Sequence, residues 1–339
     1  MRLKRITGLR PVVGLLSSRQ VIDLPRIGVP EALGKRPKNQ DECKTFRQMR
    51  KTFLVAFILF ASAPQFYATR FSSSQRGPSI QTIQFRSALI GKTLPYNVVL
   101  PRDYFVARVR RYPVLYLLHG LGGHYSDWTT KTNIADYAQK YRMIVITPEG
   151  NDSWYTDSAT VPADKYESYF LKELIPDVQR RYRTIETRHG RAVAGLSMGG
   201  YGALKFGLKS PGTFIFAGSM SGVTSSSDAD LKNLAWIRDS LQPVFGPAGS
   251  DTRKANDLFE IVSDINPGRV ALLPYFYLDC GTEDPMFSAN ERFAALLREK
   301  KIPHEYRELP GNHSWAYWDQ QVPEVLKVAA KFLRADATG

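Results

Sequence analysis

Ser197 lies in Gly195-Leu196-Ser197-Met198-Gly199, a G-x-S-x-G run. A serine hydroxyl is a weak nucleophile until a base takes its proton, and the base needs an acid to hold its tautomer. Of the five histidines, His313, in Gly311-Asn312-His313-Ser314-Trp315, is the candidate base. His119 reads as a loop-shaping residue, His124 as a solvated loop position, and His189 and His304 as surface positions. For the acid, Asp279-Cys280-Gly281-Thr282-Glu283-Asp284 offers three carboxylates. Asp279 ends a strand and is expected to bond loop amides; Asp284 is the candidate acid and Glu283 the runner-up. The chain order Ser, Asp, His separates this arrangement from two other orders of the same triad. The chemistry implied is acyl transfer, whose tetrahedral oxyanion needs two preorganised donors, each worth about 3 kcal/mol. The candidates are the backbone N–H groups of Met198 and of Leu121, the latter in His119-Gly120-Leu121-Gly122-Gly123. Neither a metal-ligand cluster nor a glycine-rich phosphate loop occurs in the sequence, so no metal or cofactor is expected.

These residues need a sharp strand-to-helix turn and a sheet to carry the loops. Ala192 to Ala194 reads as a buried strand and Tyr201 to Lys209 as a helix, which places Ser197 at the turn between them. Small residues flank Ser197 because side chains there would clash. Upstream, residues 81–86 and 95–100 alternate as antiparallel strands around a turn near Gly91. Tyr112 to Leu118 and Met143 to Thr147 are continuous apolar runs, with a helix expected over Thr130 to Tyr141. Tyr166 to Tyr182 carries Phe170, Leu171, Leu174, Ile175 and Val178 at helical spacing. Strands follow at Phe214 to Met220, Pro274 to Asp279 and His304 to Leu309, with helices at Asn290 to Lys300 and Val322 to Leu333. Residues 222–270 are mixed, with one helical stretch near Asp230 to Leu241 and the makings of a modest cap. Alternation of this kind predicts a mostly parallel sheet with helices on both faces and a ligand site beyond the strands' carboxyl ends. Each candidate residue follows a strand end.

Before residue 69 the chain is different. Met49-Arg50-Lys51 precedes an apolar run from Thr52 to Phe60 and small residues up to Ala68. That is the pattern of a secretory signal peptide over 49–68, too short to span a bilayer comfortably. Pro64 after Ala61-x-Ala63 and bulky Phe66 before Ala68 make both candidate cleavage sites imperfect. The sequence-based expectation is that Met49 starts the native chain and residues 1–48 are upstream read-through; the alternative is a disordered basic extension. Export, to the periplasm or outside the cell, follows from the signal peptide, with no stable membrane anchor. Residues 1–68 hold 13 Lys and Arg against 4 Asp and Glu, and so carry +9 of the net charge of +14. The remaining +5 is an ordinary soluble balance and calls for no nucleic-acid partner. Of two cysteines, only Cys280 lies beyond residue 68, so no internal disulfide is expected.

Four motifs in order, L-L-H-G-L-G-G-x-x-x-D-W (Leu117 to Trp128), G-L-S-M-G-G-Y-G-A-L (Gly195 to Leu204), C-G-T-E-D (Cys280 to Asp284) and G-x-H-x-W-x-x-W (Gly311 to Trp318), resemble the Putative esterase family. That family includes tributyrin esterases, carbohydrate esterase family 1 feruloyl and acetylxylan esterases, S-formylglutathione hydrolases and the antigen 85 mycolyltransferases. The resemblance runs from about Ile80 to Leu333. It implies an α/β-hydrolase fold over residues 75–335 with a small cap or none, Ser197, Asp284 and His313 as the triad, and Leu121 and Met198 as oxyanion donors. Pro285, where many relatives have an apolar or aromatic residue, departs from the pattern.

The activity implied is that of an exported serine carboxylesterase for small acyl or carbohydrate-linked esters of acetyl or feruloyl type. An antigen 85-type acyltransferase, a thioesterase like the S-formylglutathione hydrolases and a non-catalytic carbohydrate-binding relative are the alternatives. Trp154 with Tyr155 are candidates to line the substrate pocket, as is Trp128, which also reads as a loop anchor. Trp315 and Trp318 read as packing under the last helix.

Overall fold

The computed structural model describes residues 78–227 and 229–334. Residues 1–48 and 49–68, read above as an upstream extension and a signal peptide, lie outside the described residues. The elements run β1 (Ser79–Arg86), β2 (Thr93–Leu100), β3 (Val114–Leu118), α1 (Asp127–Lys131), α2 (Ile134–Tyr137), β4 (Ile144–Pro148), α3 (Ile175–Arg181), β5 (Arg191–Leu196), α4 (Met198–Lys209), β6 (Phe216–Met220), α5 (Ala235–Phe245), β7 (Tyr275–Gly281), α6 (Phe287–Glu299), β8 (His304–Leu309) and α7 (Trp315–Phe332). All eight strands form one sheet in the order β1-β2-β4-β3-β5-β6-β7-β8. β2 pairs antiparallel with β1 and β4, and the other neighbours are parallel. This is the α/β-hydrolase architecture that the sequence pattern predicts.

Every residue of β3, β4 and β6 is buried, because both faces of a parallel sheet are covered. On one face Phe206 of α4 stacks on Phe170 at 4.5 Å, with Val178 of α3 and Phe293 and Leu297 of α6 in the same cluster. On the other face Val322, Val325 and Leu326 of α7 pack with Trp128 and Ile134. Each such side chain contributes roughly 1.5–3 kcal/mol by leaving water.

Two expectations about elements need correction. The helix expected over 130–141 is broken: Thr132 is extended, and its hydroxyl donates to the Trp128 carbonyl (2.5 Å) while accepting the Ile134 N–H (3.2 Å). A threonine that bonds its own backbone in this way competes with the helix. The last helix begins at Trp315, seven residues before the expected start, and Pro323 lies inside it. Its N-cap is Ser314, and the long apolar face on the sheet outweighs the one lost N–H bond. In residues 222–270 the structure has α5, short helices Asp251–Lys254 and Leu258–Ser263, and a 3₁₀ segment Pro267–Leu272. Ile237, Leu241 and Phe245 of α5 are buried, so this stretch is a small cap with its own packing.

Candidate active site

Backbone constraint comes first. Ser197 sits at φ 53°, ψ −118°, a conformation L-residues rarely adopt, between β5 and α4. A Cβ on Gly195 would come within 2.5 Å of the Gly199 backbone, and one on Gly199 within 2.6 Å of the Leu118 and His119 carbonyls. The G-x-S-x-G spelling is therefore steric: the turn closes only where both flanking positions lack side chains. One position on, a Cβ on Gly200 would lie 2.6 Å from Ser219 Oγ.

The strand ends then bring distant residues to Ser197. His313 Nε2 is 3.0 Å from Ser197 Oγ, and His313 Nδ1 is 2.9 Å from Asp284 Oδ2. The Asp284 carboxylate is buried, and its other oxygen accepts the Met286 N–H at 2.8 Å. Pro285, with no N–H to offer, leaves that bond undisturbed. Glu283 points elsewhere: its carboxylate accepts the Gly311 N–H (2.9 Å) and its N–H donates to the Gly311 carbonyl (2.9 Å), which fixes the loop that carries His313. Gly311 itself is at φ 141°, and a Cβ there would meet the Tyr317 ring at 2.5 Å. Trp318 packs at right angles to the His313 ring, centroid to centroid 5.0 Å.

Among the described residues, the amides of Leu121 and Met198 donate to no protein acceptor, and the loop bearing Leu121 approaches the nucleophile, since a Cβ on Gly120 would lie 3.4 Å from Ser197 Cβ. The loop bearing Leu121 is pinned at both ends by the segment after β4. Asp152 Oδ1 accepts the Gly122 N–H at 2.6 Å, and the Tyr155 hydroxyl donates to the His119 carbonyl at 3.0 Å. His119 Nε2 accepts the Gly150 N–H at 2.9 Å, so its Nδ1 carries the proton and donates to the Gly120 carbonyl at 2.8 Å. His119 is thus structural, as expected.

Several residues differ from expectation. Trp128 and Tyr155 turn inward and offer a ligand no surface; Trp128 instead anchors its loop, the other role the sequence gives it, by donating its indole N–H to the Leu118 carbonyl at 3.0 Å. Trp154 is also buried, bonded to Ser240 Oγ (3.1 Å), and lines a cavity of about 10 Å³, room for one water. With Trp318 buried under the His313 ring, the exposed aromatic side chain next to that ring is Trp236 of α5, 49 % exposed and 6.3 Å away. It is the one tryptophan the sequence reading left without a role, because nothing local shows which way a cap helix faces.

Lys205 was also not singled out. It is wholly buried on α4, donating to the Tyr155 carbonyl (2.7 Å), Thr156 Oγ1 (2.6 Å) and Glu167 (2.8 Å). Burial pushes its ammonium down to about 8. These bonds hold a segment in which Asn151, Trp154 and Tyr155 all have positive φ. A usable signal was present: α4 is apolar on all sides, so a lysine within it must be buried.

Asp279 bonds no loop amide. Its carboxylate accepts the Tyr317 hydroxyl at 3.0 Å, and burial raises it from 3.8 to about 7. Between those values the native protein keeps a proton that the unfolded chain has shed, so stability falls as pH rises through that window. The full shift corresponds to at most about 4 kcal/mol. Asp279→Asn is expected to melt no lower than the wild type at pH 8 and to lose this slope between pH 4 and 7. A variant that is destabilised equally at every pH would overturn the assignment.

No group of His, Cys, Asp and Glu among the described residues is arranged to hold a metal ion, and no helix there is long and apolar enough to cross a membrane.

The family profile described as "Putative esterase" matches residues 87–328. Esterase Rv1288 of Mycobacterium tuberculosis is 32 % identical over 260 residues, covering 71 % of this chain, and the chain spans only 57 % of that relative's length. The acetyl esterase of Caldicellulosiruptor saccharolyticus is 26 % identical over 268 residues, covering 75 % of this chain and 98 % of the relative. Among solved structures, a ferulic acid esterase superposes with a TM-score of 0.65 at 26 % identity, covering 76 % of this chain and 99 % of that one. The substrate-bound serine hydrolase FphF of Staphylococcus aureus gives 0.67 at 27 % identity, covering 75 % and 99 %. With a profile spanning most of the described fold, the chain belongs to the Putative esterase family.

Proposed function

We propose that this chain is an exported serine carboxylesterase that hydrolyses small acyl or carbohydrate-linked esters, of the acetyl or feruloyl kind, through an acyl-enzyme. The observation that carries this reading is the continuous relay from Ser197 Oγ through His313 to Asp284, at 3.0 and 2.9 Å. His313 takes the Ser197 proton as Oγ attacks the ester carbonyl, and Asp284 stabilises the imidazolium that forms. The Leu121 and Met198 amides receive the oxyanion. His313 then protonates the leaving alcohol, and a water activated by the same ring releases the acid. The signal-peptide pattern over residues 49–68 supports export, and the names of the acetyl and ferulic acid esterase relatives support the acyl class.

Hydrolysis of p-nitrophenyl acetate, butyrate and octanoate, methyl ferulate and acetylated xylan tests the reading. Turnover of the short or feruloyl esters is expected; no hydrolysis of any of them would overturn it. Diversion of the acyl group to added trehalose, at the expense of hydrolysis, would replace it with the transferase alternative.

Two variants refine the picture. Asp152→Ala frees the Gly122 amide and loosens the Leu121 donor, and is expected to lower kcat about tenfold with KM little changed. A kcat within twofold of wild type would show that the loop holds without this bond. Trp236→Ala removes the exposed ring beside His313, and is expected to raise KM for methyl ferulate about tenfold while sparing p-nitrophenyl acetate. Equal losses on both esters would place the ring's role in packing.

A further inference from the structure

Ser197, Asp284 and His313 follow the carboxyl ends of parallel strands, and a second surface lies at the opposite end of the sheet. There Val114 of β3 pairs with Ile144 of β4 and Arg191 of β5, and residues 101–111, Pro-Arg-Asp-Tyr-Phe-Val-Ala-Arg-Val-Arg-Arg, form an irregular turn. Tyr104 anchors the turn. It is buried against Tyr112 at 5.4 Å, its ring lies 3.9 Å from the Arg183 guanidinium, and its hydroxyl accepts the Arg183 N–H at 3.0 Å.

With Tyr104 turned in, its neighbours are pushed out: Phe105 is 57 % exposed, Val106 83 % and Val109 89 %. Seven large apolar side chains are exposed among the described residues, and three of them fall in this one turn. A fourth, Ile80, lies beside it, since Ser79 pairs with Leu100. Single exposed apolar residues are ordinary, whereas a protruding cluster marks a contact surface.

The charge of the turn says what it contacts. Residues 101–111 hold four Arg and one Asp, so they carry +3 of the +5 net charge of residues 69–339. The acids nearby are engaged: Asp103 by Arg110, Asp136 by Arg102 and Glu186 by Arg111. Arg108, between the two valines, and Arg142, at the start of β4, are exposed and make no ion pair among the described residues. Arg180 and Arg181 pair with Asp177 at the end of α3, where the helix dipole accounts for them, and they are not needed here.

We propose that this face docks reversibly on an anionic lipid surface. Phe105, Val106 and Val109 enter the boundary between headgroups and acyl chains, and Arg108 and Arg142 meet the lipid phosphates. A phosphodiester polymer would use the arginines but has no place for protruding valines. Three apolar side chains with a few cations make an association that salt reverses, not an anchor. The Ser197 end then faces away from the bilayer. None of this depends on the hydrolytic reading.

The test is co-sedimentation of the full chain with phosphatidylcholine vesicles, with and without about 30 % phosphatidylglycerol, at low and high salt. Binding to the anionic vesicles at least about tenfold stronger than to the neutral ones, and weakened by salt, is expected. Val106→Asp/Val109→Asp and Arg108→Glu are each expected to reduce it several-fold, the pair at least about tenfold, with unchanged melting temperature. Val106→Ser/Val109→Ser, milder at exposed positions, is expected to lower binding in the same direction. Wild type and variants binding alike would place the attachment elsewhere in the chain and overturn the proposal. So would equal binding to neutral vesicles, or tight binding to duplex DNA that survives Val106→Asp/Val109→Asp.

Discussion

Ser197→Ala is expected to lower kcat for p-nitrophenyl acetate by about 10⁴- to 10⁶-fold, with KM within a few-fold of wild type. The size follows from removing the only atom that bonds to the substrate carbon; the oxyanion donors at Leu121 and Met198 remain and account for residual rate. The fold should survive, because the strained turn at Ser197 is set by its glycine neighbours and alanine adds no volume. Intact-mass analysis after treatment with a fluorophosphonate gives an independent readout: one adduct on the wild type and none on the variant. A variant that kept wild-type turnover, or that was still labelled once, would overturn the nucleophile and the mechanism with it.

Asp284→Asn is expected to cost about 10⁴-fold in kcat, because an amide in place of the carboxylate selects the wrong imidazole tautomer and stabilises no imidazolium. The paired control is Glu283→Gln. Glu283 lies one residue away, and its carboxylate is bound to the Gly311 amide rather than to His313, so its loss is expected to stay below about tenfold. Measured side by side, the two variants separate an acid that acts on the histidine from one that positions its loop. The reverse order of effects would move the acid to Glu283.

The elements and the site were legible to different degrees. The inner strands β3, β4, β5 and β6 were legible as buried apolar runs, and β1 by its alternation of half-buried and exposed residues. Boundaries failed where side chains compete with backbone bonds, as at Thr132, or where a breaker is overridden by packing, as at Pro323. The aromatic residues were the poorest guide. Trp128, Trp154 and Tyr155 follow strand ends and so looked exposed to the site, yet all three are buried, while Trp236 on the cap stands beside His313.

From sequence alone came the nucleophile turn, the order of Ser197, Asp284 and His313, the loop carrying Leu121 and the alternating α/β pattern. These are short-range: glycines that permit one backbone path, and apolar runs that must be buried. Only the tertiary structure decided that Asp284, not Glu283 or Asp279, meets His313 across 29 residues, and that His313 meets Ser197 across 116. It alone left Phe105, Val106, Arg108 and Val109, neighbours in one turn, exposed, and set Arg142 at the same end of the sheet, away from Ser197. Which side chains share a space depends on how strands far apart in the chain are ordered in the sheet, and no local pattern encodes that order.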